Sequence, residues 1–157
     1  MPGLTFDEIP STVGTVVEGV PFILTQEELK AFETATWLDR AYVEELPEFP
    51  ETLVEGFWLL GMLDASIKMA AHYDTTSVWG LNYGLDRVRF VSPVYVGERV
   101  LSTYETIAVE PKDGGYKILR RCTFTVEGRT RPAMTADWWT LALPRGKFDV
   151  LMGSAGE

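Results

Sequence analysis

Residues 55–100, EGFWLLGMLDASIKMAAHYDTTSVWGLNYGLDRVRFVSPVYVGERV, constrain the fold most, because a helix apolar on nearly every side runs through a short link into a long period-two strand. The helix is predicted over 57–71. Phe57, Leu60, Gly61, Asp64, Ile67, Lys68 and Ala71 share one stripe, while Trp58, Leu59, Met62, Leu63 and Met69 fill the others. Such a helix is expected to be buried. At a length of roughly 22 Å it is short for a bilayer, and Asp64 and Lys68 interrupt it, so it reads as a core helix. The acid stands four residues before the lysine, a spacing that lets the two pair. Over 81–91 the period becomes two: Tyr83, Leu85, Arg87, Arg89 and Val91 are predicted on one face, and Asn82, Gly84, Asp86, Val88 and Phe90 on the other. Neither face is purely apolar. A strand of this kind suits a position with the helix on one side and a pocket or a partner subunit on the other.

A chain of 157 residues, 46% of them hydrophobic and without internal repeats, is expected to form a single domain over 1–157 with its core at about 13–144. The net charge of −9 argues against nucleic acid and anionic membrane surfaces, both of which require clustered Lys and Arg. The first residues, MPGLTFDEIPS, lack the basic and apolar segments of a signal peptide, which makes the cytoplasm the expected compartment. One cysteine, Cys122, rules out a disulfide framework within the chain, and one cysteine with one histidine rules out the usual zinc site. There is no phosphate-binding glycine loop and no dinucleotide fingerprint. No metal or cofactor is expected.

Along the chain, residues 13–20 read as a short strand. Thr25 with Glu28 forms a capping box for an amphipathic helix ending near Trp37. The mixed-charge segment 38–55, with Pro47 and Pro50, is a long loop of the kind that often carries function. After the 81–91 strand come strands over 99–110, 116–126 and 130–143, joined at PKDGG and EGR as a meander. In the second of these, Arg120 shares a face with Ile118, Cys122, Phe124 and Val126. A long helix followed by a run of antiparallel strands is an α+β layout in which the sheet curls around the helix, the hot-dog arrangement. Such a sheet leaves an edge and a face uncovered, so a homodimer is expected.

The segments ILTQEELKAFETAT, VEGFWLLGML and LNYGLDRVRFVSPVYVGERV, with the closing TADWWTLALP, resemble the MaoC-like hydratases and dehydratases of the hot-dog superfamily, in particular their nodulation-protein-N-like branch. The resemblance covers about 13–144. It implies a Gly-Asp-x-Asn-Pro-x-His loop after the first helix, where Asp and His activate water across an enoyl thioester. This chain departs from that pattern. An ungapped match puts Leu38 and Val43 at the Asp and His positions; one inserted residue puts Asp39 and Glu44 there, and no histidine occurs in either case. Glu55 stands where relatives often have a second histidine, and His72 belongs to the far end of the helix.

Two readings of the acids stand side by side. Asp39, Glu44 and Glu55 either gather at one pocket, where crowding raises one pKa and yields an acid beside a base, or are solvated charges, with Glu55 serving the helix N-terminus. The same holds for the other candidates. Trp37 and Trp58 are candidate pocket walls, whereas Trp79, Trp138 and Trp139 read mainly as packing. Tyr42 offers a phenol to a carbonyl oxygen. Asn82 and Tyr83 are candidate substrate contacts, and Asp86 with Arg87 or Arg89 reads more simply as an ion pair. Cys122 reads as a small core residue.

Three functions follow as expectations. The first is a soluble hydro-lyase acting by carboxylate proton transfer on an unsaturated or β-hydroxy carbonyl compound or acyl thioester. The second is a catalytically silent hot-dog subunit that binds an acyl or aromatic ligand or supports an active partner. The third is another reaction in the same pocket: thioester hydrolysis, isomerisation or cyclisation of a polyketide-like substrate.

Overall fold

The computed structural model describes residues 3–41, 50–70 and 73–147. Tyr42, Glu44 and His72 lie outside the described residues. A 3-10 helix, Phe6–Thr12, is followed by β1 (Val16–Glu18), β2 (Phe22–Ile23), α1 (Gln26–Ala35), α2 (Leu38–Ala41), α3 (Gly56–Met69), β3 (Val78–Phe90), β4 (Arg99–Lys112), β5 (Gly115–Val126) and β6 (Met134–Pro144). The architecture is α+β, as expected. The strands form one antiparallel sheet in the order β1-β4-β5-β6-β3, with β2 also pairing β4. The meander β4–β5–β6 turns at Asp113 and Gly114, both at positive φ, and at Gly128 (φ 83°). No helix among the described residues is long and apolar enough to cross a membrane.

The core lies between α3 and the concave face of the sheet. Leu59, Leu63 and Ile67 of α3 meet Tyr104, Phe124, Met134 and Trp138. Polar groups join the two layers as well. The Tyr104 hydroxyl donates to the Leu63 carbonyl at 2.8 Å, and the Ser66 and Ser102 hydroxyls lie 2.7 Å apart. Gly19 passes directly over this pair: a Cβ there would stand 2.3 Å from each serine oxygen, so no side chain fits. A smaller cluster is built on Ile9, which is fully buried and lies outside the 13–144 span, with Val78, Ile118 and Ala142. The 3-10 helix that delivers Ile9 has its own acid cap, since the Thr5 N–H donates to the Glu8 carboxylate at 2.9 Å.

Several expectations are corrected. The strand expected over 13–20 is only the three-residue β1, with β2 a separate piece beyond it, and β6 starts at Met134 rather than near 130, because 127–133 is turn and bend and Pro132 has no N–H for a ladder. α3 is buried on one side only: Phe57, Gly61, Lys68 and Met69 of the opposite stripe are exposed, since the sheet covers one face of a helix and nothing else in the chain covers the other among the described residues. The Asp64–Lys68 pair forms as expected, at 2.8 Å. The strict alternation predicted for β3 fails because bulges interrupt it between Asn82 and Gly84 and between Asp86 and Arg89. As a result Asn82 and Leu85, pairing Thr140 and Trp138, share the concave face with Val88. Arg87, at φ 49°, bonds Asp137 across the strand, and Asp86 accepts from the Trp139 indole at 2.9 Å, so within the chain Asp86 forms an ion pair with neither Arg87 nor Arg89.

Candidate functional site

Residues 53–55 bring the chain into α3 along a fixed path. Leu53 bridges Tyr95, and the Val54 N–H donates to the Val94 carbonyl at 2.8 Å. Glu55 is the N-cap, and its carbonyl accepts from the N–H groups of Trp58 and Leu59, both at 3.0 Å. Its side chain makes no capping hydrogen bond. The carboxylate is therefore not used in closing the helix, and it stands half-buried. Burial and, after it, the charge of Glu33 hold its pKa above the ordinary glutamate value. Glu33 belongs to α1, a residue that sequence reasoning did not single out. Its only sequence signal is its place one turn from the end of an amphipathic helix.

A groove lies between α1 and α3, and neither Glu55 nor Glu33 is among the residues that line it. Phe32 of α1 stacks on Trp58 of α3, ring centroids 5.8 Å apart and planes 15° from parallel. The two rings help to line this open groove of about 510 Å³, with Phe22, Leu24 and Met62. Next to it Phe90 closes on the helix start, its ring 6.3 Å from that of Phe57. A Cβ at Gly56 would sit 3.1 Å from the Phe90 ring, so a side chain there needs that ring to move by a few tenths of an ångström.

The other candidates are dispersed. Asp39, on α2, is exposed and accepts from the Thr34 hydroxyl at 3.0 Å, and no hydrogen bond joins it to Glu55. Trp37 occupies the left-handed turn between α1 and α2 (φ 65°), with 64% of its surface exposed and the Arg40 guanidinium 4.8 Å from its ring centre. Tyr83 is exposed on the sheet edge beside Lys112 and Lys117. Asn82 accepts from the Trp138 indole at 3.0 Å and faces a partly open cavity of about 140 Å³. That cavity lies beside Asp64, Ile67 and Lys68, at the opposite end of α3 from Glu55, roughly 14–20 Å away by helical rise. Trp138 is buried, Trp79 and Trp139 stand on the sheet, and the five tryptophans form no common cage. Cys122 is fully buried, and burial pushes its thiol up to about 12, so it is not a nucleophile. Among the described residues no group of three His, Cys, Asp or Glu side chains could hold a metal ion.

The raised pKa of Glu55 has a consequence for stability. The folded state favours the protonated carboxyl, so the unfolded chain loses its proton first as pH rises, and stability falls from the unfolded pKa up to the folded one. Glu55→Gln is expected to raise the melting temperature at neutral pH and to leave it unchanged below the ordinary glutamate range. Thermal denaturation at both pH values reads this, and an equal change at both contradicts it.

No established family profile matches the chain. It is 31% identical over 147 residues to nodulation protein N of Rhizobium leguminosarum bv. viciae, covering 88% of this chain and 91% of that protein. It is 34% identical over 122 residues to the 3-hydroxyacyl-thioester dehydratase Z of Mycobacterium tuberculosis, covering 73% of this chain and 79% of the other. Among solved structures, the MaoC-like dehydratase from Rhodospirillum rubrum superposes with a TM-score of 0.68 at 11% identity, covering 91% of this chain and 99% of that one.

Proposed function

The chain belongs to the MaoC-like family of hot-dog proteins, and from that premise we propose that it is a hydro-lyase that removes or adds water across the C2–C3 bond of a 3-hydroxyacyl or 2-enoyl thioester, with carboxylates in place of the family's Asp/His pair. The observation that carries this reading is Glu55, a half-buried carboxylate at the head of the central helix whose pKa is raised by burial and by Glu33. In dehydration one carboxylate takes the proton from C2, the C3–O bond breaks as the C2–C3 double bond forms, and the departing hydroxyl leaves as water with the proton of Glu55; hydration is the reverse. We assign the base to Glu33, whose charge favours the protonated form of Glu55 and so separates an acid from a base. Asp39 and Glu44 remain the alternative bases. Trp58, stacked on Phe32, supplies a wall for the acyl group, whereas Asn82, at the far end of α3, and Tyr83, exposed on the sheet edge, stand apart from Glu55. The purified chain, offered 3-hydroxyacyl and 2-enoyl thioesters of short, medium and long chain, is expected to interconvert them, read by the enoyl absorbance. Failure with all of them overturns the proposal.

The site is completed, in this reading, by a second copy of the chain. Among the described residues strand β3 is an edge, paired only with β6, and the apolar side chains Phe57, Leu85 and Phe90 beside it are 74%, 42% and 49% exposed. An edge and an apolar helix face of this kind suit a two-fold partner. Sedimentation is expected to give a dimer, and Phe57→Glu combined with Leu85→Lys is expected to shift it to monomer. A wild-type monomer at micromolar concentration contradicts this.

The second reading, a silent subunit, is favoured by one observation: the chain's single histidine, His72, does not fall in the loop after α1. It predicts turnover only after mixing with another hot-dog chain.

A further inference from the structure

Strand β5 points Ile118, Arg120, Cys122 and Phe124 at the concave side of the sheet, and Arg120 is the one charged residue among these core positions. Its exposure is 2%, and it faces the 140 Å³ cavity at the C-terminal end of α3. Its guanidinium donates to the Thr140 hydroxyl at 3.0 Å and to the Tyr73 hydroxyl, both neutral oxygens. Among the described residues no carboxylate forms an ion pair with it. Asp64, on the cavity wall, makes no ion pair with Arg120, though its charge favours the cation from a distance; it is tied to Lys68 at 2.8 Å, so the two cations and one anion leave the wall with a net positive charge.

A charged arginine is almost never fully buried without an anionic partner, because removing its charge from water costs several kcal/mol that only close opposite charge and good hydrogen bonds offset. Burial lowers its pKa only to about 10, so it remains a cation at neutral pH. The planar guanidinium fork matches the two oxygens of a carboxylate. Ile67, Val78 and Ile118 give the cavity an apolar wall, with the Trp138 indole held in place by Asn82, while Asp64, Lys68 and Thr75 add polar groups to its lining. A void of about 150 Å³ accepts a benzene ring, so the space suits one small apolar body carrying one anionic end.

We propose that this cavity is a binding site for a small carboxylate, anchored by Arg120 and backed by Thr140 and Tyr73. It stands apart from Glu55 and does not depend on the hydro-lyase reading. The carboxylate is either a free organic acid or the terminal acid of an acyl group, and the two sources share the same recognition chemistry.

Titration calorimetry on the full chain with benzoate and its neutral isostere benzamide tests the free acid. A 3-hydroxyacyl thioester ending in a carboxylate, set against its methyl-ended counterpart, tests the acyl source by equilibrium binding, so that catalytic failure does not obscure the result. The anionic member of at least one pair is expected to bind more than about tenfold tighter than its neutral partner, as charge-assisted hydrogen bonds require, and Arg120→Gln is expected to abolish that preference. Should Arg120→Gln not fold, a crystal structure of the wild-type complex decides: the carboxylate lies against the Arg120 guanidinium, or the proposal is overturned. Equal binding of charged and neutral members in both pairs, or no binding at millimolar concentration in either, overturns it as well.

Discussion

Glu55→Gln is expected to lower kcat for thioester hydration and dehydration by about two to four orders of magnitude, the usual contribution of a positioned general acid, while the protein stays folded. The substitution keeps size and hydrogen-bonding capacity but removes the proton that the leaving hydroxyl needs. Because the Glu55 side chain makes no capping hydrogen bond, the helix itself does not depend on its charge, which separates a chemical effect from a structural one. Glu33→Gln adds a second readout. Because Glu33 is the assigned base, this substitution is expected to lower kcat by a comparable factor, and in the activity that remains the alkaline limb is expected to move down in pH, since removing that charge lets Glu55 ionise at lower pH. Wild-type kcat in either variant counts against the assignment.

Tyr104→Ala carries the largest expected effect on stability. Tyr104 is fully buried, its ring 6.4 Å from both Phe124 and Trp138, and its hydroxyl reaches across to the Leu63 carbonyl of α3. Loss of a buried aromatic side chain typically costs about 3–5 kcal/mol. Tyr104→Phe keeps the ring and loses one hydrogen bond, at about 1 kcal/mol. Urea denaturation of the two variants is expected to separate them clearly, and comparable losses would contradict packing as the main contribution of this residue.

The parts of the fold legible in the sequence are those fixed by local pattern. The Thr25–Glu28 capping box forms, with Glu28 N–H to the Thr25 hydroxyl at 3.2 Å and Thr25 N–H to the Glu28 carboxylate at 2.9 Å. The apolar run of α3 and the meander β4–β5–β6 likewise follow from periodicity and turn residues. The Thr5–Glu8 pair repeats the same capping pattern and marks the 3-10 helix, yet Pro10 within it obscures the periodicity.

What the pattern could not supply depends on distant partners. The register of β3 is set by bulges against β6, so the faces of Asn82 and Leu85 cannot be counted off by alternation. One-sided burial of α3 arises because a single sheet covers a single helix face, which a hydropathy pattern blind to neighbours does not record. Glu33 meets Glu55 only through tertiary packing of α1 beside the start of α3. Arg120 was visible as a charge in an apolar stripe; its significance needed the cavity it faces.

The most direct test of carboxylate chemistry in this family member is a crystal structure of the chain with an unreactive 3-hydroxyacyl thioester analogue bound. The expected result puts a Glu55 oxygen within about 2.6–3.2 Å of the C3 hydroxyl, with a second carboxylate facing C2. An analogue bound with its C3 hydroxyl out of reach of Glu55 and no second carboxylate near C2 contradicts it.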